Sequence, residues 1–373
     1  MLIGVPKEIK NHEYRVGMTP ESVAAAVSHG HKVLVETNAG NGIGASDDIY
    51  QKAGAIIVNS TEEIFAKAEM IVKVKEPQST ERAMLRPNQI LYTYLHLAPD
   101  PEQTKDLVES GAVCIAYETI TDNQGGLPLL KPMSQVAGRL SIQAGATALE
   151  KSHGGLGSLL GGVPGVSPAK VIIIGGGIVG FNAAQMAVGM QADVTILDTN
   201  AYTIEHLSNY FGSKARVIHS NKAALAAELQ TADLVVGGVL VAGSAAPKLV
   251  TREMLLDMKD GAVLVDVAID QGGCFETSKA TTHTDPTYVV NGIVHYCVAN
   301  MPGAVPRTST YALNNATLPG LLAIANNGWK KALYEDKHLL AGLNVCNGKV
   351  TYKAVADDLG YAYTDATTLI WQN

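Results

Sequence analysis

Val171-Ile172-Ile173-Ile174-Gly175-Gly176-Gly177-Ile178-Val179-Gly180 is an apolar run that breaks into glycines and continues into Phe181-Asn182-Ala183-Ala184-Gln185-Met186-Ala187, a stretch compatible with a helix. Strand, GxGxxG turn and helix in this order form the phosphate-binding turn of a dinucleotide fold. Gly175 permits the tight turn, Gly177 lets backbone approach a pyrophosphate, and Gly180 lets helix and strand pack closely. The helix start at Ile178 and Val179 offers amide donors to the phosphates. Glycine-rich turns are common, so the motif depends on its context. The next strand-like run, Val194 to Asp198, ends in an acidic residue 18 positions after Gly180. A carboxylate there accepts hydrogen bonds from ribose hydroxyls. Asp198 would repel a 2′-phosphate, and Thr199-Asn200-Ala201-Tyr202 holds no arginine to neutralise one, so NAD is expected over NADP. The competing reading is an Asp that caps the following helix.

Working outward, further strand-like runs follow at Val217 to Ser220, Leu234 to Val236, Ala262 to Val267 and Ile293 to Val298. With the two above they make six, the number a complete dinucleotide-binding domain needs. Later runs end at Val239-Leu240, Val267-Ala268-Ile269-Asp270 and Val298-Ala299-Asn300-Met301, on the carboxyl edge where an open sheet binds ligands. The first 130 residues alternate in the same way, with strand-like runs at Leu2 to Val5, Lys32 to Glu36, Met70 to Val74, Ile90 to Leu97 and Val113 to Ala116. Such alternation predicts a parallel sheet. Thr19 before Pro20, Ser60 with Glu63 three residues on, and Asp100 before Pro101 with Gln103 following predict three helix starts. Six glycines among the thirteen residues from Gly154 to Val166 predict a loop or hinge. After Arg307 the pattern is helical again, through Leu318 to Leu333, and ends in polar-apolar alternation too short to form a domain. The expectation is therefore an α/β protein of two doubly wound lobes. A Rossmann domain over 131–306 is inserted in a discontinuous domain made of 1–130 and 307–373.

Composition narrows the function. The chain of 373 residues exceeds the about 250–300 at which one core stops growing. An apolar fraction of 47% with 17% charged residues is that of a packed globular protein. The net charge of −7 and the lack of a basic stripe speak against nucleic acid. Cys114, Cys274, Cys297 and Cys346 are scattered and form no CxxC pair, so inert thiols are expected rather than disulfides or a zinc ribbon. The ten histidines form no HxxxH or HxxEH pattern, so no metal is expected. Pro6 and Lys7 interrupt the apolar start before a secretory h-region could form, and the most apolar stretch, Val235 to Ala246, is too short for a membrane span. A cytoplasmic protein that does not enter a bilayer is expected.

Four residues could bind a small charged substrate and move protons. Arg15, just before a capped helix, could grip a carboxylate through two hydrogen bonds, or be a solvated surface residue. Lys75 follows Met70-Ile71-Val72-Lys73-Val74 at a strand's carboxyl end, or is a surface lysine. His96 closes Leu91-Tyr92-Thr93-Tyr94-Leu95-His96. Period-two alternation puts it on the face of Tyr92 and Tyr94, where a satisfied core histidine is the stronger reading and a catalytic one the weaker. Asp270 closes Asp266-Val267-Ala268-Ile269-Asp270 before a glycine-rich turn, and could be an ordinary turn residue.

Several further blocks lie in register with these: Gly4-Val5-Pro6-Lys7-Glu8, Glu13-Tyr14-Arg15-Val16-Gly17-Met18-Thr19-Pro20, Val72 to Pro77, Tyr94-Leu95-His96-Leu97-Ala98, Pro132-Met133-Ser134, Gly161 to Gly165 and Asp266 to Gly273. On these blocks and the fingerprint the sequence resembles, over essentially its whole length, the alanine dehydrogenase family, which includes the NAD(H)-binding part of proton-translocating transhydrogenase. The resemblance implies NAD-dependent, reversible conversion of L-alanine to pyruvate and ammonia. It implies that Arg15 and Lys75 bind the carboxylate and carbonyl side of pyruvate and that His96 and Asp270 handle protons. It places Ser134, Ser220, Val239, Leu240, Asn300 and Met301 around the dinucleotide and Asp198 on the ribose, and it implies a homo-oligomer, commonly a hexamer. The rivals are a transhydrogenase component, a lysine-forming or related imino-acid dehydrogenase, and a non-enzymatic NAD sensor. His96 with Lys75 favours an amino-acid dehydrogenase over the nucleotide shuttle.

Overall fold

The computed structural model describes residues 1–239 and 246–370. They form two compact units: Met1–Met133 joined by the chain from Val305 onward, and Ser134–Ala304.

In the first unit one sheet runs in the order Lys349–Val350, Leu343–Cys346, Val113–Ala116, Ile90–Thr93, Met70–Val72, Leu2–Val5, Lys32–Glu36, Ile56–Val58. The six strands from Val113–Ala116 to Ile56–Val58 pair in parallel. Counted in chain order, they follow the doubly wound pattern 3-2-1-4-5-6. Met70–Val72, Ile90–Thr93 and Val113–Ala116 are buried along their length, as expected of parallel strands covered on both faces. Their side chains enter a core with Ile64, Phe65, Leu95, Leu107 and Val345. The predicted helix starts are those observed. Thr19 Oγ1 accepts from the Ser22 amide at 3.2 Å, Ser60 Oγ from Glu63 at 3.3 Å, and Asp100 Oδ1 from Gln103 at 3.0 Å.

The returning C-terminal segment completes this unit. The helix Pro306–Asn327 fastens onto the segment after Arg15, with Asn314 Oδ1 accepting from the Thr19 amide at 2.8 Å and Arg307 Nη1 donating to Ile43 O at 2.7 Å. Gly328, at φ 76°, separates it from Trp329–Glu335. Leu343–Cys346 then pairs antiparallel with Val113–Ala116.

The second unit repeats the scheme. Its sheet runs Thr287–Val290, Ile293–Tyr296, Val263–Asp266, Leu234–Gly237, Lys170–Ile174, Asp193–Asp198, Arg216–His219. All neighbours are parallel except the outermost pair, Thr287–Val290 with Ile293–Tyr296. The chain is thus mixed α/β with two parallel-dominated sheets, and the six predicted strands of this half are present. The glycine-rich segment 154–166 is a loop inside this unit, closed by the bridge between Val163 and Val166. It therefore does not lie where the chain passes from one unit to the other, at Met133–Ser134 and Ala304–Val305. All four cysteines are buried thiols that form no disulfide. No helix of the described residues is long and apolar enough to cross a membrane.

Three strands that the apolar pattern missed sit at sheet edges. Thr287–Val290 turns into Ile293–Tyr296 through Asn291-Gly292, with φ 50° and 79°. Lys349–Val350 follows Leu343–Cys346 through Asn347-Gly348, with φ 50° and 79°. Both are two-residue turns with positive φ at each position, and Asn-Gly is the sequence signal for them. Ile56–Val58 was missed because an edge strand of three residues, one of them half exposed, carries little periodicity.

Candidate active site

The first unit gathers its candidate residues at the carboxyl ends of neighbouring strands. Arg15 follows Leu2–Val5, Lys75 follows Met70–Val72 and His96 follows Ile90–Thr93, and these strands are adjacent in the sheet. In a doubly wound sheet this edge binds ligands where the strand order reverses, here between Leu2–Val5 and Met70–Val72. The expected strands Met70 to Val74 and Ile90 to Leu97 end earlier than their apolar runs, at Val72 and Thr93. The residues beyond leave the sheet and form the loops that carry Lys75 and His96.

Arg15 is buried, not a solvated surface residue, and its two-bond carboxylate partner is its own neighbour Glu13. Nε donates to Glu13 Oε1 at 2.7 Å and Nη2 to Oε2 at 2.6 Å, while Nη1 lies 3.2 Å from Met133 Sδ. Burial opposes the guanidinium's charge, but Glu13 outweighs it and holds the pKa above its ordinary value. Lys75 is mostly covered, with its ammonium 3.8 Å from Glu76. Beneath it lies a group that the sequence reading had not singled out. Lys73, wholly buried, bridges Glu8 at 2.9 Å and Glu81 at 2.7 Å. The other oxygen of Glu8 accepts from the amides of Val74 at 2.7 Å and Lys75 at 3.3 Å. This carboxylate thus fixes the backbone that presents Lys75. Burial raises the Glu8 carboxyl, and Lys73 only partly offsets it.

His96 is exposed, so the core-histidine expectation does not hold. The chain has left the strand by Tyr94, and His96 takes a left-handed backbone at φ 51° that turns its ring outward. The imidazole stacks on Tyr94, with centroids 5.8 Å apart and planes at 10°. Tyr94 is buried, donates to Leu129 O at 2.5 Å, and has its phenol pushed far up by burial, with the nearby Arg15 charge opposing. Tyr94 therefore links Arg15 to His96. The carboxylate of Glu118 accepts from the His96 amide at 2.6 Å.

In the second unit Gly175 has φ 92°, a region open to glycine. A Cβ at Gly180 would lie 1.8 Å from Gly175 O, so the close helix-strand approach is real. Among the described residues, a Cβ at Gly177 would meet no atom within 4 Å. Nothing among the described residues forbids a side chain there, whereas a pyrophosphate against the helix Ile178–Gly189 would. Asp198 does not cap the next helix; Asn200 does, accepting from Thr203 at 3.0 Å. Asp198 Oδ2 instead accepts from the Gly176 amide at 2.6 Å and Oδ1 from the Asn200 amide at 2.8 Å. These features fit a dinucleotide.

The remaining positions cluster on the same sheet edge. Ser220 donates its amide to Asp198 O at 2.8 Å, and Val239 lies against Gly175. Val267, Ala268 and Ile269 follow strand Val263–Asp266, while Val298, Ala299, Asn300 and Met301 follow Ile293–Tyr296. Ser134 lies one helical turn before Gly138, where a Cβ would be 2.3 Å from Val179 O, so its helix runs close beside the fingerprint helix. Leu240 lies outside the described residues. Asp270 is exposed in the short turn Ile269–Gln271. That turn is held from below by buried Asp266, whose oxygens accept from Ala268 N at 3.1 Å, Cys274 N at 2.9 Å and Ser278 Oγ. Lys248 donates to Gly272 O and Gly273 O from the other side.

Comparison with known proteins gives this arrangement a family. The model described as "Alanine dehydrogenase/PNT, N-terminal domain" matches residues 4–137, and "Alanine dehydrogenase/PNT, C-terminal domain" matches 141–353. The chain belongs to the alanine dehydrogenase family. The alanine dehydrogenase of Halomonas elongata is 58% identical over 370 residues, covering 99% of this chain and all of that one. A solved L-alanine dehydrogenase structure superposes with a TM-score of 0.94 at 51% identity, over 96% of this chain and 99% of that chain. A transhydrogenase from Sinorhizobium meliloti shares the fold, with a TM-score of 0.83 at 24% identity, over 94% of this chain and all of the other. For an alanine dehydrogenase family member the cofactor class is a nicotinamide dinucleotide. The groups that sequence reasoning missed, buried Glu8, Glu13, Lys73, Glu81 and Asp266 and half-buried Glu118, sit directly behind the residues it found. The quoted blocks contain Glu8, Glu13, Lys73 and Asp266 without marking them as buried partners, and Glu81 and Glu118 lie outside every block.

Proposed function

We propose that the chain interconverts L-alanine and pyruvate with NAD, releasing or fixing ammonia, through the residues assembled above. In the oxidative direction L-alanine, NAD and water give pyruvate, ammonium, NADH and a proton. Bound NAD would supply the hydride acceptor, held by Gly175, Gly177, Ile178, Val179, Gly180, Ser134, Ser220, Val239, Leu240, Val267 to Asp270 and Val298 to Met301, with Asp198 on the ribose. The observation that carries the reading is full-length identity to alanine dehydrogenases combined with Arg15, Lys75 and His96 on adjacent strand ends.

Lys75 offers an ammonium to the substrate's carboxylate and carbonyl side, and Arg15 adds a guanidinium whose charge Glu13 already balances. Loss of hydride from Cα leaves an imine, which water must attack. In this reading His96, exposed and stacked on Tyr94, takes a proton from that water or from the carbinolamine. Asp270 is the second group assigned to proton transfer. Asp198 supports NAD over NADP because a 2′-phosphate would meet a carboxylate already engaged by Gly176. A cytoplasmic homo-oligomer, commonly a hexamer, belongs to the same reading.

The test is NADH oxidation by the purified protein with pyruvate and ammonium together, each alone, 2-oxoglutarate with lysine, and a thio-NAD acceptor. Turnover that needs pyruvate and ammonium together supports the reading. Reduction of the nucleotide acceptor alone would replace it with transhydrogenation, and turnover only with 2-oxoglutarate and lysine would replace it with a lysine-forming enzyme.

A further inference from the structure

We propose that Glu118 is a positioning residue for His96, acting through the backbone. It lies in the turn Tyr117–Thr119, directly after Val113–Ala116. That strand pairs in parallel with Ile90–Thr93, placing Thr93 opposite Ala116, so both chains leave the sheet side by side. Glu118 Oε1 accepts from the amides of His96 at 2.6 Å and Leu95 at 3.1 Å, and Oε2 accepts from Leu95 at 3.2 Å. Two successive amides aimed at one carboxylate form charge-assisted bonds, stronger than those of a neutral acceptor.

The bonds fall where the backbone needs them. His96 sits at φ 51°, a conformation that a residue with a Cβ keeps only where its surroundings impose it. The neighbouring carbonyls are pinned from the opposite side, by Gln103 Nε2 on Leu95 O at 2.7 Å and Thr104 Oγ1 on Leu97 O at 3.0 Å. Leu95 and Leu97 are buried, and His96 alone points outward. The peptide is thus held by bonds to both its amides and its neighbouring carbonyls, and the imidazole projects over the Tyr94 ring. Without the carboxylate the two amides lose their acceptor, the left-handed turn relaxes, and the imidazole leaves its place. Misplacement of this kind lowers turnover without altering dinucleotide affinity.

This inference rests on His96 being the proton-transfer group, so the experiment separates the two. Full-length wild type, Glu118→Gln, His96→Ala and the double variant are compared for kcat, KM for pyruvate, NADH affinity and hydrogen exchange of the peptide around residues 94–98. Glu118→Gln keeps shape and removes charge. It is expected to lower kcat about ten- to a hundredfold, leave NADH affinity unchanged, and speed exchange at residues 95 and 96 whether or not His96 is present. In the double variant the residual kcat should equal that of His96→Ala. Full kcat in Glu118→Gln beside an impaired His96→Ala overturns the positioning role alone. So does a further loss in the double variant, or unchanged exchange. Full kcat in His96→Ala overturns the His96 reading, and the positioning role with it.

Discussion

The Gly176 amide donates to Asp198 Oδ2 at 2.6 Å, so the carboxylate expected to select the cofactor also closes the phosphate-binding turn. Its second oxygen is engaged by Asn200 N, which fixes the side chain's orientation. Asp198 is therefore set before any ribose arrives.

Two variants separate these tasks. Asp198→Ala removes both the repulsion of a 2′-phosphate and the acceptor for Gly176. It should lower the NAD-to-NADP ratio of kcat/KM and destabilise the protein by about 1–3 kcal/mol, the cost of an amide left without its partner. Asp198→Asn keeps an acceptor oxygen and loses the charge, so the cofactor ratio should fall with the melting temperature close to wild type. An unchanged ratio in both variants removes Asp198 from the ribose.

The fingerprint glycines should respond in opposite ways. Gly180→Ala puts a Cβ 1.8 Å from Gly175 O, a backbone atom that cannot step aside as a flexible side chain could. Its melting temperature should fall steeply. Gly177→Ala meets no atom of the described residues within 4 Å and should fold normally while its affinity for NADH drops. NADH titration beside thermal unfolding decides the matter, and tight NADH binding by Gly177→Ala would show that the pyrophosphate lies elsewhere.

What the sequence disclosed follows the range of the interactions. Thr19, Ser60 and Asp100 were legible because a cap and its amide lie three residues apart. The fingerprint was legible because its turn is local too. His96 was misread because alternation was continued past Thr93, where the ladder stops and a left-handed residue reverses the face. Lys73 and Glu81 were invisible because a charged residue beside an apolar run reads as surface. Only the fold shows that Glu8, 65 positions from Lys73, comes to meet it. Asn291-Gly292 and Asn347-Gly348 are a different case, since the signal for both hairpins stood in the sequence unread.

Lys73→Met should be the most damaging substitution in the first unit's interior. It leaves Glu8 and Glu81 buried without their cation, a loss of about 3–5 kcal/mol for a broken buried pair. Burial already raises the Glu8 carboxyl, and removing Lys73 raises it further. The penalty for keeping Glu8 ionised applies above its folded-state pKa and disappears as pH falls through it. The melting-temperature gap between wild type and Lys73→Met should therefore narrow towards acid. A gap that widens at low pH would mean that Glu8 carries no buried charge.

His295 sets an acid limit on the second unit. It is fully buried, its Nδ1 lies 3.0 Å from Ile293 O and its Nε2 lies 2.7 Å from Thr277 Oγ1. A carbonyl can only accept, so Nδ1 carries the proton and neutral Nε2 accepts from the Thr277 hydroxyl. A second proton would abolish that acceptor in a site stacked against Tyr288, and burial, aided by Arg252, holds the imidazole's pKa below its ordinary value. The unfolded chain then binds the proton first as pH falls. Stability from this group is complete above the unfolded histidine's pKa of about 6.5 and declines at up to about 1.4 kcal/mol per pH unit until the folded-state pKa is reached. The informative quantity is the difference between wild type and His295→Gln in unfolding between about pH 7 and 5. The variant should start less stable and lose less on acidification. Parallel curves would show that His295 takes up its proton without leaving the fold.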